Sequence, residues 1–128
     1  MQKLSLILLL FPFCLLAQDQ KTSNFKLVDF SPSECDESAY SYQKYNQILS
    51  KEIVGDTVKI EVEIVGNCCV DFDATIEVND TIINLIYMES GDPCRCLCCY
   101  QFIYEIDGIN KDQKMVYLLN GRGVKGSQ

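Results

Sequence analysis

Apolar and polar residues alternate through the middle of the chain. Val58, Ile60, Val62 and Ile64 are separated by Lys59, Glu61 and Glu63, the period-two pattern of a strand with one face in a core and one in water. Val70, Phe72, Ala74, Ile76 and Val78 repeat it, with Asp71, Asp73, Thr75 and Glu77 on the wet side. Gly55-Asp56 and Gly66-Asn67 provide turn chemistry at either end of the first strand. Parity constrains the second turn. A two-residue loop would set Val62 opposite Asp71, whereas a three-residue loop, Gly66-Asn67-Cys68, sets Ile64 opposite Val70 and Val62 opposite Phe72. The longer loop is expected, because a one-residue slip turns a whole apolar face to solvent.

Asn79-Asp80 reads as a hairpin turn pairing Ile76 with Ile83, Ala74 with Leu85 and Phe72 with Tyr87. The strand over 81–88 has a second apolar face of Ile82, Ile86 and Met88, which the amino-terminal segment is expected to cover. A further strand is predicted from about Cys96 to Asp107, with Tyr100, Phe102, Tyr104 and Ile106 on one face. A last strand, Lys114 to Leu119, ends at Asn120-Gly121. Upstream, Phe25 to Phe30 forms a short strand ended by Ser31-Pro32. Residues 36–50 show no clean period, and Tyr40, Tyr42 and Tyr45 among them read as half-buried packing rather than a binding surface. About five to seven short strands joined by Gly, Asn and Asp turns imply an all-β fold, an antiparallel β-sandwich or small meander.

The first residues follow a different pattern. Lys3, the apolar run from Leu4 to Phe13 and a small residue at Ala17 make residues 1–17 a secretory signal peptide. The run is too short for a transmembrane helix, and Pro12 interrupts it. Cys14 raises lipid attachment, but Pro12 and Phe13 before it are not small, so anchoring is the lesser reading. No later stretch is apolar enough to span a bilayer, and the mature chain is expected to be secreted or periplasmic. Residues 18–34 are expected to be a flexible segment, 35–121 a cysteine-rich β domain, and 122–128 a loose tail.

Composition removes several function classes. The net charge is −7, and losing Lys3 with the signal peptide makes it one unit more negative. No Lys/Arg cluster is present, which disfavours nucleic acid and anionic membrane as partners. Histidine is absent, and with it the commonest general base, the Ser-His and Cys-His nucleophile pairs and imidazole metal sites. Parity turns the acids of the two central strands outward, away from any catalytic cleft. The chain is therefore read as a non-enzyme without a cofactor, in a structural role or binding an unknown protein or surface partner.

What remains is cysteine. Seven of the eight cysteines persist after residue 17: Cys35, Cys68, Cys69, Cys94, Cys96, Cys98 and Cys99. Adjacent Cα atoms lie about 3.8 Å apart, short of the roughly 4.4–6.8 Å a relaxed disulfide prefers. Cys68-Cys69 and Cys98-Cys99 are therefore poor partners for themselves, and bridges between the two clusters are more natural. On parity Cys96 and Cys98 face inward with Tyr100, while Cys69 and Cys99 point out and form a candidate pair. An exported chain meets an oxidising compartment, so a disulfide-stapled domain is the favoured reading. Seven is odd, which leaves one sulfur free, bonded to another chain or otherwise occupied.

The alternative is a thiolate site for copper(I) or zinc built from Cys68, Cys69, Cys94, Cys96, Cys98 and Cys99. Cys-x-Cys and Cys-Cys spacings resemble metallothionein-like and copper(I)-carrying proteins. Redox exchange is a third option, since Cys96 and Cys99 have Cys-x-x-Cys spacing. They lie in a predicted strand, however, without the helix amino-terminus that activates such a thiol. From Asn67 to Leu119 the chain also resembles small, secreted, cysteine-rich β proteins of bacteria, in which alternating cysteines lead into an aromatic strand. That resemblance implies no activity and transfers no site residues.

Overall fold

A computed structural model describes residues 24–38 and 46–127. Residues 1–17, expected to be a signal peptide, and Tyr40, Tyr42 and Tyr45 lie outside the described residues. Among the described residues eight strands make two four-stranded sheets that share one apolar core. They are β1 (Lys26–Pro32), β2 (Gln47–Val54), β3 (Thr57–Asn67), β4 (Asp71–Asn79), β5 (Ile82–Ser90), β6 (Leu97–Asp107), β7 (Val116–Leu119) and β8 (Arg122–Gly123). One sheet has the order β1-β6-β3-β2 and the other β4-β5-β7-β8. The fold is all-β. It is mixed rather than wholly antiparallel, because β5 and β7 pair in parallel.

The alternating pattern sets the core. Val58, Ile60, Val62 and Ile64 of β3 lie opposite Ile106, Tyr104, Phe102 and Tyr100 of β6, and all eight are buried. Ile83, Leu85, Tyr117 and Leu119 close the core from the second sheet. Phe72 of β4 meets Tyr100 edge-on and Phe102 at a steep tilt across it, with ring centroids 4.8 and 4.9 Å apart; edge-to-face contact is one of the arrangements aromatic pairs prefer. Tyr104 donates a hydrogen bond to the Ile86 carbonyl at 3.2 Å, tying the two sheets together.

Several expectations are corrected. β3 and β4 do not form a hairpin. β3 runs on to Asn67, the chain turns at Cys68-Cys69, and β4 joins the other sheet. Parity identifies which residues share a core, and a crossing between sheets satisfies it as well as a hairpin does. The β4–β5 hairpin forms, but its turn is Asp80-Thr81, with Asn79 opposite Ile82 and Ile76 opposite Leu85. This register differs from the expected one by two residues, so every side chain keeps its face. Asp80 takes the left-handed conformation at φ 54°, which aspartate tolerates better than most residues.

The strand β2 was not legible in 36–50. It carries a bulge between Ile48 and Ser50, and as an edge strand it is exposed over most of its length. Nor are the described residues at the two ends unpaired. β1 lies beside β6, with Phe30 packed at 5.2 Å from Phe102 and 5.0 Å from Tyr104, and it extends through Ser31 and Pro32. It therefore does not cover Ile82 and Met88, which stay exposed. The tail pairs as β8 and continues beside β2, where the Ile48 amide donates to the Lys125 carbonyl at 2.9 Å and the Tyr117 amide to Ser127 at 3.0 Å. Among the described residues no helix is long and apolar enough to cross a membrane.

Candidate functional site

The three disulfides among the described residues lie at one end of the sandwich, where β3 ends and β6 begins. Asn67 and Leu97 are opposite one another in the ladder, so the β3–β4 crossing and the β5–β6 connection lie side by side. This places Cys68-Cys69 against the run Cys94 to Cys98. The bridges are Cys68–Cys96, Cys69–Cys94 and Cys35–Cys98, with Cα atoms 5.4, 5.8 and 5.4 Å apart, inside the range a disulfide prefers. Cys35 arrives because the chain after β1 keeps following β6. Ser33 donates to Gln101 at 2.8 Å, and the backbones of Asp36 and Cys99 exchange hydrogen bonds of 3.0 and 3.2 Å.

Asn67 organises this end. Its Oδ1 accepts from the amides of Cys69 at 2.9 Å and Cys94 at 3.2 Å, and its Nδ2 donates to the Cys94 carbonyl at 2.6 Å. Its own carbonyl accepts from the Tyr100 hydroxyl at 2.9 Å. One carboxamide thus holds both connections while the flanking sulfurs lock them. Sequence reasoning saw only turn chemistry at Asn67, because its partner lies 27 residues away.

The cysteine faces are partly as expected. Cys98 is fully buried in the core, Cys96 lies just before β6, and Cys69 is exposed. The pairing of Cys69 with Cys99 is corrected: Cys69 bonds Cys94 instead. Cys99 does not face solvent and is only 4% exposed. Parity directs it away from the core, but β6 is flanked there by Val65 on one side and Asp36 on the other. The Cys-x-x-Cys spacing of Cys96 and Cys99 forms no pair, since Cys96 is bonded to Cys68.

The sulfurs gather into a different set from the one the spacing suggested. The Sγ atoms of Cys35, Cys68 and Cys98 and a carboxylate oxygen of Glu37 all lie within 4.8 Å of one another. Glu37 Oε1 also lies 3.4 Å from Cys96 Sγ. Cys69, Cys94, Cys96 and Cys99, candidate ligands by spacing, are not in this group. It includes Cys35 and Glu37, which the spacing does not point to. No local sequence signal includes them, because they lie 33 and 31 positions before Cys68, the next member along the chain. Beside the cluster is a recess of about 330 Å³ lined by Glu34, Asp36, Glu63 and Gln101 among others. Comparison with family profiles, characterised proteins and solved structures finds no match. Three bridges in so small a domain point to an oxidising extracellular or periplasmic environment.

Proposed function

We propose that the chain is an exported, non-catalytic β domain with a structural or binding role, whose disulfide-stapled end holds a fixed surface toward a protein or surface partner. The observation that carries this reading is the concentration of all three bridges at one end, which fixes two connections and the segment after β1. Such pre-ordering lowers the entropy lost when a loop surface binds. Further support comes from the acids. Asp71, Asp73 and Glu77 face water from β4, and no charged side chain among the described residues is buried. General acid–base chemistry draws on positioned, environment-tuned groups. The bridges also agree with residues 1–17 acting as a signal peptide that delivers the chain to the periplasm or medium.

A second reading rests on one observation, the proximity of Cys35, Cys68, Cys98 and Glu37. Three thiolates and a carboxylate suit tetrahedral zinc, and the thiolates suit copper(I). Those sulfurs are bridged, so this reading belongs to the reduced chain. Intact mass of the protein recovered from the exported fraction separates the two. The first expects a chain beginning at Gln18 that gains two hydrogens per bridge on reduction, for three bridges, and is unchanged by chelator. The second expects reduced sulfurs that react with an alkylating agent only after chelation. A chain retaining Met1, with every sulfur reduced and no metal, sinks both.

A further inference from the structure

Among the described residues four strands form sheet edges, β1, β2, β4 and β8, and three of them are blunted. β1 carries a bulge between Leu27 and Asp29 and ends at Pro32. β2 carries a bulge and Lys51, and the tail bonds its start through Lys125. β8 is two residues long. Bulges, Pro, Lys, covering segments and shortness are the usual defences against pairing with another chain. β4 has none of them. Its nine residues keep unbroken register with β5 and include no Pro, Gly or Lys.

The open side of β4 can be derived from its neighbours. The Thr81 and Leu85 carbonyls accept from the amides of Val116 and Asn120, so alternate residues of β5 turn their backbone groups to β7. The residues between them, Ile82 to Met88, serve the odd-numbered residues of β4. Phe72, Ala74, Ile76 and Val78 therefore direct amide and carbonyl away from the sheet. The Ala74 amide donates to Asp73 Oδ1 at 2.8 Å in place of a strand partner. The side chains of these four residues pack toward the core but are only half-buried. Leu27 and Phe30 of β1, which flanks the same side of the sandwich, are half-buried as well.

We infer that β4 is a docking edge for an extended segment of another protein, added antiparallel to it, in which apolar residues alternate with Lys or Arg. Residues opposite Phe72, Ala74, Ile76 and Val78 share their inward side and complete the half-buried seam. Those opposite Asp71, Asp73 and Glu77 stand on the acidic side, where opposite charges stabilise a cross-strand pair. Main-chain bonds supply affinity in such docking, and alternate side chains choose the partner. A second copy of β4 is a poor occupant, because antiparallel pairing centred on Thr75 sets Asp73 opposite Glu77 twice, and like charges there repel. This inference rests on the reading of the chain as a domain that binds a protein partner, and it specifies that partner's chemistry. β4 leaves the stapled end directly after the Cys69–Cys94 bridge, so the template is fixed where it starts.

The test measures amide hydrogen exchange by NMR on the oxidised mature chain with the synthetic peptide Val-Lys-Val-Thr-Val-Lys-Val-Lys. At ten times its Kd, exchange at the Phe72, Ile76 and Val78 amides should slow about tenfold. N-methylation of the valines, whose amides face β4, should abolish this protection; N-methylation of the lysines and threonine should not. Equal behaviour of the two methylated peptides would show charge attraction without strand pairing and overturn the inference. A glutamate-for-lysine peptide should fail to bind, and binding as tight as the lysine peptide's also overturns it. Asp73→Lys/Glu77→Lys, at two exposed positions, should weaken the lysine peptide about tenfold and admit the glutamate one; unchanged affinities overturn the choice of a basic partner. Protection confined to the stapled end, with β4 unchanged, sinks the docking edge and leaves the binding role standing. The intact mass of the exported chain tests that role independently.

Discussion

At the scale of single residues, Tyr104 shows how a buried polar atom records its surroundings. Its ring is fully buried and its hydroxyl reaches Ile86 in the opposite sheet. Burial first, and then the neighbouring Tyr87, push its phenol well above the usual value near 10. Burial likewise raises Tyr117 and Tyr87. A phenol whose folded pKa exceeds its unfolded one favours the folded state while it stays protonated. That stability is fully present below about pH 10 and is lost as pH rises from there through the folded value. The urea midpoint should therefore be level from neutral pH to about pH 9 and fall above about pH 10. Tyr104→Phe should cost about 1 kcal/mol at neutral pH for the lost hydrogen bond and make the alkaline fall shallower. An unchanged alkaline slope in that variant would show that Tyr104 does not titrate on unfolding. Asn67 illustrates the opposite limit of sequence reading. Its turn propensity is local and legible, but its grip on Cys94 depends on a partner that only the folded chain supplies.

At the scale of elements, what the sequence revealed was parity. The inward rows of β3 and β6 are buried as their alternation requires, and the β4–β5 hairpin kept its faces despite a two-residue register change. Which sheet each strand joins was not legible, since the same inward row serves either side of a shared core. β2 was hidden by its bulge and its exposed edge, both of which erase a period-two signal. The tail was misread because nothing local marks a short segment that docks through its backbone. Gly126 reveals that docking. Its φ is 84° and a Cβ built there would sit 2.5 Å from the Ile48 carbonyl oxygen, so only glycine fits between the tail and β2. Gly126→Ala should cost about 1–3 kcal/mol through backbone strain and speed hydrogen exchange at the Ile48 and Tyr117 amides, which bond the tail. If exchange at those amides stayed at the wild-type rate, the docking would be unnecessary to the fold.

At the scale of the molecule, the arrangement of the bridges matters more than their number. Cys69–Cys94 spans 25 positions and Cys68–Cys96 spans 28, and one loop is nested inside the other. Taken alone, either would stabilise the fold by about 3.5 kcal/mol in the chain-entropy picture. Together they do not contribute twice that. Once Cys69–Cys94 has closed the loop, Cys68–Cys96 adds only a small ring through Cys68, Cys69, Cys94, Arg95 and Cys96, worth about 2 kcal/mol on the same relation. Each bridge therefore insures the other. Cys69→Ser/Cys94→Ser and Cys68→Ser/Cys96→Ser should each cost about 2 kcal/mol, while the fourfold variant should cost about 5–6 kcal/mol, more than the sum of the two. Urea midpoints of the three variants under oxidising conditions measure this directly. The Cys35–Cys98 bridge has no such backup. It closes a span of 63 positions that no other bridge shares at its amino-terminal end, so Cys35→Ser should cost about 4 kcal/mol by itself, twice the loss of either nested bridge. Equal costs for all three bridges would mean that strain or residual structure in the unfolded chain, rather than loop closure, sets their contribution, and the division into a doubled clasp and a single tether would fall.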